Sequence, residues 1–379
     1  MSAPLPVYHL MPIHLVRGEN CTVWDDEGNA YLDLYGGHGV ISIGHAQPDW
    51  ANAIAKQAST LGYYSNSVRM EIQEQAAAAI GAIANRTDCD VFFVNSGAEA
   101  IENALKLASF ATGRKRIVCF HGAFHGRTSL AIAATDNAKI VAPVNQTNNV
   151  VHVPLNDIVA VEQELSANDV AAVLVEGVQG VGGCHMPTVE FLQSVLELCN
   201  AHGTMLVLDE IQSGAGRTGR YFAHDHAGIQ PPIVTMAKGI GNGFPVGAML
   251  VSKQIPVSIG MLGTTFGGAH MACTAVNSVV HIMEQKSLMD NARQRGDQLS
   301  SLLHKVEGIA ELRGRGLMMG AVLDKPCAPI REHLWREHRM LTGNASNPNV
   351  LRILPPLTIS SQQIESFASA LIATLQEKL

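Results

Sequence analysis

Met205-Leu206-Val207-Leu208-Asp209-Glu210-Ile211-Gln212 is an apolar run that ends abruptly in an acidic pair. Four bulky apolar residues bounded by charge read as a short, fully buried strand. A carboxylate at the carboxyl end of such a strand stands where open α/β sheets bind their ligands. Similar runs lie on both sides, at Val91–Val94, Arg116–Phe120, Ala171–Val175, Ile233–Met236 and Val246–Val251. Helical stretches, including Ala98–Phe110 and Val189–Ala201, separate several of them. The alternation predicts an α/β domain on a mostly parallel sheet covered on both faces.

From about residue 275 the pattern changes. It predicts one long helical segment over Ala275–Val306 and a Gly-rich strand region over Arg313–Leu323. Pro355-Pro356 and a terminal helix over Ser361–Lys378 follow. Near the start, Thr22–Asp25 and Ala30–Leu34 flank the turn Asp26-Glu27-Gly28-Asn29. These strands are expected to join the C-terminal part. The expected domains are a large one, 38–274, and a smaller, discontinuous α+β one from 1–37 and 275–379.

The 379 residues are 47% hydrophobic, enough for a large core and, by length, for two domains. Only 16% are charged, the net charge is −7, and no Lys/Arg block occurs. Nucleic acid and membrane surfaces are therefore disfavoured as partners; small molecules and further copies of the chain are favoured. The seven cysteines, Cys21, Cys89, Cys119, Cys184, Cys199, Cys273 and Cys327, are odd in number and irregularly spaced, without a CxxC. That argues against a disulfide framework or a zinc knuckle and suits a reducing compartment. The opening residues lack a basic region followed by an apolar one, so a cytoplasmic location is expected.

Three features carry chemistry. Asn95-Ser96-Gly97-Ala98-Glu99 joins a strand to a helix, offering free N–H groups and a positive dipole end to a phosphate. The plainer reading is an N-cap, since Ser96 and Glu99 have capping-box spacing. Asp209 can keep a pyridinium nitrogen protonated, making the ring an electron sink; it can equally ligate a metal or cap a helix. Lys238 follows a buried strand and precedes Gly239-Ile240-Gly241-Asn242-Gly243. Desolvation there would expose a neutral amine able to attack an aldehyde. Most strand-end lysines simply reach solvent.

Two patterns mislead. Gly214-Ala215-Gly216-Arg217-Thr218-Gly219 matches G-x-G-x-x-G, but it does not run from a strand into a helix, and no acidic residue lies about 20 positions on. His121 and His125 have helical metal-pair spacing, but Gly122 and Gly126 oppose a helix, and no metal is expected.

In order and spacing, Ser96-Gly97-Ala98, Phe124-His125-Gly126-Arg127, Asp209-Glu210-Ile211-Gln212, Lys238 and Gly263-Thr264-Thr265-Phe266-Gly267-Gly268 resemble the class III aminotransferases of pyridoxal-phosphate fold type I. The resemblance runs from about Trp24 to Leu357. Tyr35-Gly36-Gly37-His38, Tyr64-Ser65-Asn66-Ser67, Glu176–Gly183 and Leu354-Pro355-Pro356-Leu357 are most similar to the acetylornithine/succinylornithine branch. The resemblance implies a large domain with a mostly parallel, seven-stranded sheet. It implies pyridoxal 5′-phosphate as cofactor, carried by Lys238, which also shuttles a proton. Asp209 would pair with the ring nitrogen, Gln212 would sit near the ring hydroxyl, and Phe124 would stack on the ring. Ser96, Gly97 and Ala98 would hold the phosphate, with His125 and Glu210 also in the cofactor site. Thr265 would reach the phosphate of a partner subunit, so a homodimer with shared sites is implied. Arg127 and Arg352 would grip substrate carboxylates as bidentate forks. His38, Ser65, Asn66, Glu176, Val181 and Thr264 would line the substrate end.

The departures matter. Related enzymes usually carry Glu-Pro where Glu176-Gly177 stands, and a second Glu where Val181 stands. In ornithine aminotransferases that Glu pairs with the arginine resembling Arg352, so such a switch lacks its partner here. His38 replaces a substrate-touching tyrosine; it can donate to an acyl carbonyl or simply pack beside the loop. Gly267-Gly268-Ala269-His270 replaces Gly-Gly-Asn-Pro. The expected reaction is transfer of the δ-amino group of an N2-acylornithine to 2-oxoglutarate, in arginine biosynthesis. Its rivals are another ω-amine aminotransferase (ornithine or 4-aminobutyrate), a pyridoxal-phosphate aminomutase, a non-catalytic pyridoxal-phosphate protein, and a dinucleotide oxidoreductase.

Overall fold

A computed structural model describes residues 2–377 of the chain; Met1, Lys378 and Leu379, which the expected small domain includes, lie outside them. The central sheet has seven strands: β1 (Cys89–Val94), β2 (Arg116–Phe120), β3 (Val150–Val153), β4 (Val170–Glu176), β5 (Met205–Asp209), β6 (Ile233–Met236) and β7 (Gly247–Ser252). Their spatial order is β1-β7-β6-β5-β4-β2-β3. β7 is antiparallel to both neighbours, and the other pairings are parallel. The six predicted strands are all present. The edge strand β3, short and half-buried, is an addition to them.

Both faces of the sheet are covered, and the side chains alternate between them. Ala172, Leu174, Val207, Ile233 and Met249 meet Ile101, Ala104, Leu105 and Ala108 on one face of helix α1 (Gly97–Thr112). Val173, Val175, Leu206, Leu208 and Val234 point the other way, towards Phe191, Leu192, Val195 and Cys199 of α2 (Val189–His202). All seven residues of β4 are buried, which explains a continuous apolar run rather than an alternating one. Burying each Val, Leu or Ile contributes about 1.5–3 kcal/mol.

The expected helix over Ala275–Val306 is two helices, α3 (His270–Gln285) and α4 (Leu288–Leu303). Between them Ser287 takes a left-handed φ of 49°. The break lets α4 turn and bury Leu288, Ala292, Leu299 and Leu303, packing with the terminal helix Ser361–Gln376. No Gly or Pro announces it, so the sequence carried no stop signal. Because α3 begins at His270, the expected boundary at residue 275 falls inside a helix.

Leu15–Glu19, Thr22–Asp25 and Ala30–Asp33 form a second sheet, to which Met340–Leu341 adds in parallel. Residues from near both ends of the chain thus share one sheet. The Arg313–Leu323 region is the hairpin Ile309–Arg315/Met318–Leu323, extended by Val350–Ile353 and Gly343–Asn344.

Gly296 lies mid-helix in α4, where alanine would ordinarily gain about 1 kcal/mol. A Cβ there would overlap the Gly316 backbone, which cannot swing away as a side-chain tip can. The clash should win. Gly296→Ala is expected to destabilise by about 1–3 kcal/mol, read as a lower denaturation midpoint; an increase would refute the packing argument.

Candidate active site

Parallel pairing aligns the strand ends. Glu176 of β4 is opposite Asp209 of β5, and Asp209 is opposite Thr235 of β6. The chain leaves β6 through Ala237 to Lys238, and leaves β1 through Asn95 to Ser96. Beyond β2, Phe124, His125, Gly126 and Arg127 return over the same edge. A cavity of about 710 Å³ opens there. Ser96, Gly97, Ala98, Phe124, His125, Arg127, Glu176, Asp209, Gln212, Lys238, His38, Val181 and Arg352 all line it. A roomier crevice of about 970 Å³, beside Arg220, Arg293 and Arg315, holds none of these.

At one end is the N-terminus of α1. Ser96 Oγ accepts from Glu99 N at 3.2 Å, and Ser96 O accepts from Ala100 N. Those of the first helical N–H groups that stay free belong to Gly97 and Ala98. The capping box is half-formed, because Glu99 Oε2 reaches Asn95 N at 2.8 Å rather than Ser96 N. A Cβ on Gly97 would meet Ile211 at 2.8 Å, and one on Gly126 would meet Ala98 at the same distance. The backbones therefore crowd the helix end as an anion cradle requires.

In the middle is a buried pair. His125 Nδ1 donates to Asp209 Oδ2 at 2.7 Å, and Ile211 N donates to Oδ1 at 3.0 Å. His125 Nε2 is buried without a partner among the described residues. Beside them, Glu176 accepts from Phe124 N at 2.9 Å and Gly180 N at 3.3 Å. Burial pushes the Glu176 carboxyl up; His125 works against this and the Asp209 charge adds to it.

Lys238 stands beyond them. Its φ of 50° is left-handed, a strain of about 1–3 kcal/mol. The turn after it is pinned: Ser42 Oγ donates to Gly239 O at 2.6 Å, and Asn242 Oδ1 accepts from Ser42 N at 2.9 Å. Burial holds the Lys238 ammonium below the ordinary lysine range, against the charges of Asp209 and Glu176 and with help from Arg352. An amine, a carboxylate and a row of free N–H groups thus share one cavity. They match, in kind, the aldehyde, ring nitrogen and phosphate of pyridoxal phosphate.

Arg127 is exposed at the cavity, and Arg352 is buried. Arg352 donates to Asn344 O, to Tyr35 OH at 2.8 Å and to Gln212 Oε1 at 3.4 Å. Gln212 Nε2 in turn donates to His38 O at 2.8 Å. Tyr35 and Asn344 were not singled out as site residues. Tyr35 had a signal, its place in Tyr35-Gly36-Gly37-His38; Asn344 had none.

Other expected residues lie elsewhere. Glu210 does not line the cavity. Its buried carboxylate faces Ser213, Ala223 and His224, and these donors, His224 first, outweigh the cost of burial and hold it below its ordinary range. Thr264 bonds Glu99 at 3.1 Å and Asn95 at 3.3 Å, behind the helix end. Asn66 donates to Thr264 O and Gly267 O. Thr265 O accepts from Tyr63 OH at 3.0 Å, on an exposed loop. Ser65 bonds Ser67. None of Glu210, Thr264, Asn66, Thr265 and Ser65 lines this chain's own cavity. In the misleading Gly214–Gly219 stretch, Arg217 is buried and donates to Leu317 O and Pro355 O, a structural clamp.

A raised glutamate is a cost that grows with pH. Its neutral form is favoured in the fold, so stability falls as pH rises from the ordinary glutamate range upward. Glu176→Gln should remove that slope. In cofactor-free protein, the variant's stability relative to the parent is expected to rise with pH across that window, above a constant offset from its altered hydrogen bonds. A pH-independent difference in melting temperature would refute this.

A family model described as aminotransferase class-III matches residues 6–375. The chain is 38% identical to an acetylornithine aminotransferase of Methanopyrus kandleri, over 97% of this chain and 96% of that one. It is 39% identical to one of Bacillus subtilis, over 98% and 97%. It superposes with a TM-score of 0.91 on an ornithine aminotransferase of Toxoplasma gondii, described with pyridoxal phosphate at its active site, at 27% identity over 98% of this chain and 92% of that one. The cavity and these likenesses agree: the chain belongs to the class-III aminotransferases, pyridoxal-phosphate-dependent transaminases of fold type I.

Proposed function

We propose that this enzyme moves the δ-amino group of N2-acetyl-L-ornithine, or N2-succinyl-L-ornithine, to 2-oxoglutarate, giving the N-acylglutamate 5-semialdehyde and glutamate, in arginine biosynthesis. The observation that carries this is whole-chain similarity to acetylornithine aminotransferases, joined to two cavity arginines, Arg127 and Arg352, that pair with no carboxylate among the described residues. Two guanidinium forks suit a dicarboxylate, and one fork plus neutral donors suits an acylated amino acid.

When bound, pyridoxal phosphate supplies an aldehyde that takes up the amine and a protonated ring that withdraws electrons from the bond to be broken. The chain does the rest. Gly97 and Ala98 N–H groups and Ser96 hold the phosphate. Asp209, oriented by His125, would keep the proton on the ring nitrogen, and Phe124 would pack on the ring with Gln212 near its hydroxyl. Lys238 Nζ, whose ammonium form burial disfavours, is the group that would take a proton from the substrate's δ-carbon and return it on the cofactor side. Arg127 would bind the carboxylate distal to the reacting carbon, which is the α-carboxylate of the acylornithine and the γ-carboxylate of 2-oxoglutarate. Glu176 acts indirectly, fixing Phe124 and Gly180 through their N–H groups. Glu210 fixes the turn behind Asp209, and Thr264 steadies Asn95 and the α1 terminus.

Free ornithine would bring an α-ammonium to the acyl end, where Val181 offers it no charge. The enzyme works as a homodimer in this reading. Thr265 reaches the phosphate of the neighbouring copy, with Asn66 and Ser65 behind it. Tyr64, Phe266 and Val68 are exposed beside that loop, an apolar patch suited to an interface. The division 38–274 against 1–37 and 275–379 remains the proposed domain plan, supported by the pairing of Ala30–Asp33 with Met340–Leu341. Seven buried, free cysteines support a cytoplasmic location.

Two measurements check the assignment. Purified enzyme should show a visible cofactor absorbance that Lys238→Ala removes; an unchanged spectrum would sink the lysine's role. In competition, acetylornithine or succinylornithine should exceed free ornithine and 4-aminobutyrate in kcat/KM by at least about a hundredfold. Rapid turnover of free ornithine alone would overturn the substrate reading.

A further inference from the structure

Arg352 is a buried cation without a counter-charge among the described residues. Its side chain has five N–H donors. Three go to a backbone carbonyl (Asn344), an amide oxygen (Gln212) and a phenol (Tyr35), all neutral. The Arg352–Tyr35 contact is the shortest of the two side-chain bonds, 2.8 Å, and the guanidinium also stands 5.5 Å over the Tyr35 ring centroid. Because Arg352 can only donate, the Tyr35 hydroxyl must spend its own proton elsewhere. His38 Nδ1 is 2.7 Å away and can receive it. That sets the imidazole tautomer: Nδ1 accepts, and the ring proton sits on Nε2, in a side chain that lines the cavity.

The position of Tyr35 is built rather than incidental. Asp33 Oδ1 accepts from Tyr35 N at 2.9 Å and Gly36 N at 2.8 Å, and His45 holds the other Asp33 oxygen at 2.7 Å. The Tyr35 ring lies against Gly343, where any Cβ would overlap it. Gly343 is the register partner of Arg352, so the ring is clamped beside the arginine it serves.

We propose that Tyr35, with His38 and the space at Gly343, is the positioning device that decides substrate class on the Arg352 side of the cavity. A carboxylate in this place would neutralise Arg352 and would have to be displaced by each dicarboxylate. A phenol orients the fork and leaves its charge free. The site therefore stays cationic in both half-reactions, accepts a carboxylate or an N-acyl group, and refuses an ammonium. His38 Nε2–H is the donor offered to the acyl carbonyl. This rests on the acylornithine and 2-oxoglutarate reading above.

The test compares the holoenzyme with Tyr35→Phe, Tyr35→Glu and Gly343→Ala, each first checked for cofactor absorbance. Tyr35→Phe should raise KM for 2-oxoglutarate about tenfold, the loss of one hydrogen bond to a charged group, with kcat changed less than about threefold. Gly343→Ala, which keeps the hydroxyl but displaces the ring, should do the same. Tyr35→Glu should lower the kcat/KM ratio of acylornithine to free ornithine by at least about tenfold. A parent-like KM in Tyr35→Phe and Gly343→Ala, or a parent-like ratio in Tyr35→Glu, overturns the proposal. If one variant fails to hold cofactor, the other two still decide. If the parent ignores acylornithines, the functional reading fails, and the 2-oxoglutarate KM still judges the clamp.

Discussion

Parallel pairing of β4, β5 and β6 is the constraint on which the site depends. It sets Glu176, Asp209 and Thr235 in one row and sends the next residues of each strand over the same edge. A one-residue slip would turn Asp209 into the core cluster that holds Leu208 and bring an apolar residue to the cavity. That register is held by side chains packed on both faces of the sheet, by α1 on one and α2 on the other. The chemistry is therefore paid for by ordinary apolar burial some distance from it.

The charges in the cavity depend on one another. Burial works against Lys238 as a cation and against Glu176 as an anion, and the Glu176 charge partly offsets the cost at Lys238. Asp209 is tied to His125, whose second nitrogen has no partner among the described residues. Arg352 has only neutral acceptors. An arrangement with this much uncompensated polarity is costly as a resting fold. It is what a site looks like whose remaining partners arrive with cofactor and substrate.

Much of this was legible in the chain. The buried strands announced themselves because β4 to β7 are covered on both faces and must be apolar throughout. The proposed cofactor residues were legible because they sit within a residue or two of those strand ends, and spacing along the chain translates into spacing across the sheet. The break at Ser287 was not, since its left-handed turn carries no Gly or Pro and answers only to how α4 packs. Glu210 was misplaced for a related reason. It follows Asp209 directly, but a strand end points successive side chains to opposite sides, and Glu210 went to Ser213 and His224.

The sequence by itself determined the sheet and pointed to the proposed lysine, carboxylate and phosphate end, because each is a local pattern repeated at a strand terminus. Only the tertiary structure decided what holds Arg352. Its neighbours Tyr35, Gln212 and Asn344 come from three distant parts of the chain, and no local rule brings them together. That a phenol and an imidazole, rather than a carboxylate, stand beside the guanidinium follows from the pairing of Gly343 with Arg352 and from the room this leaves for a ring.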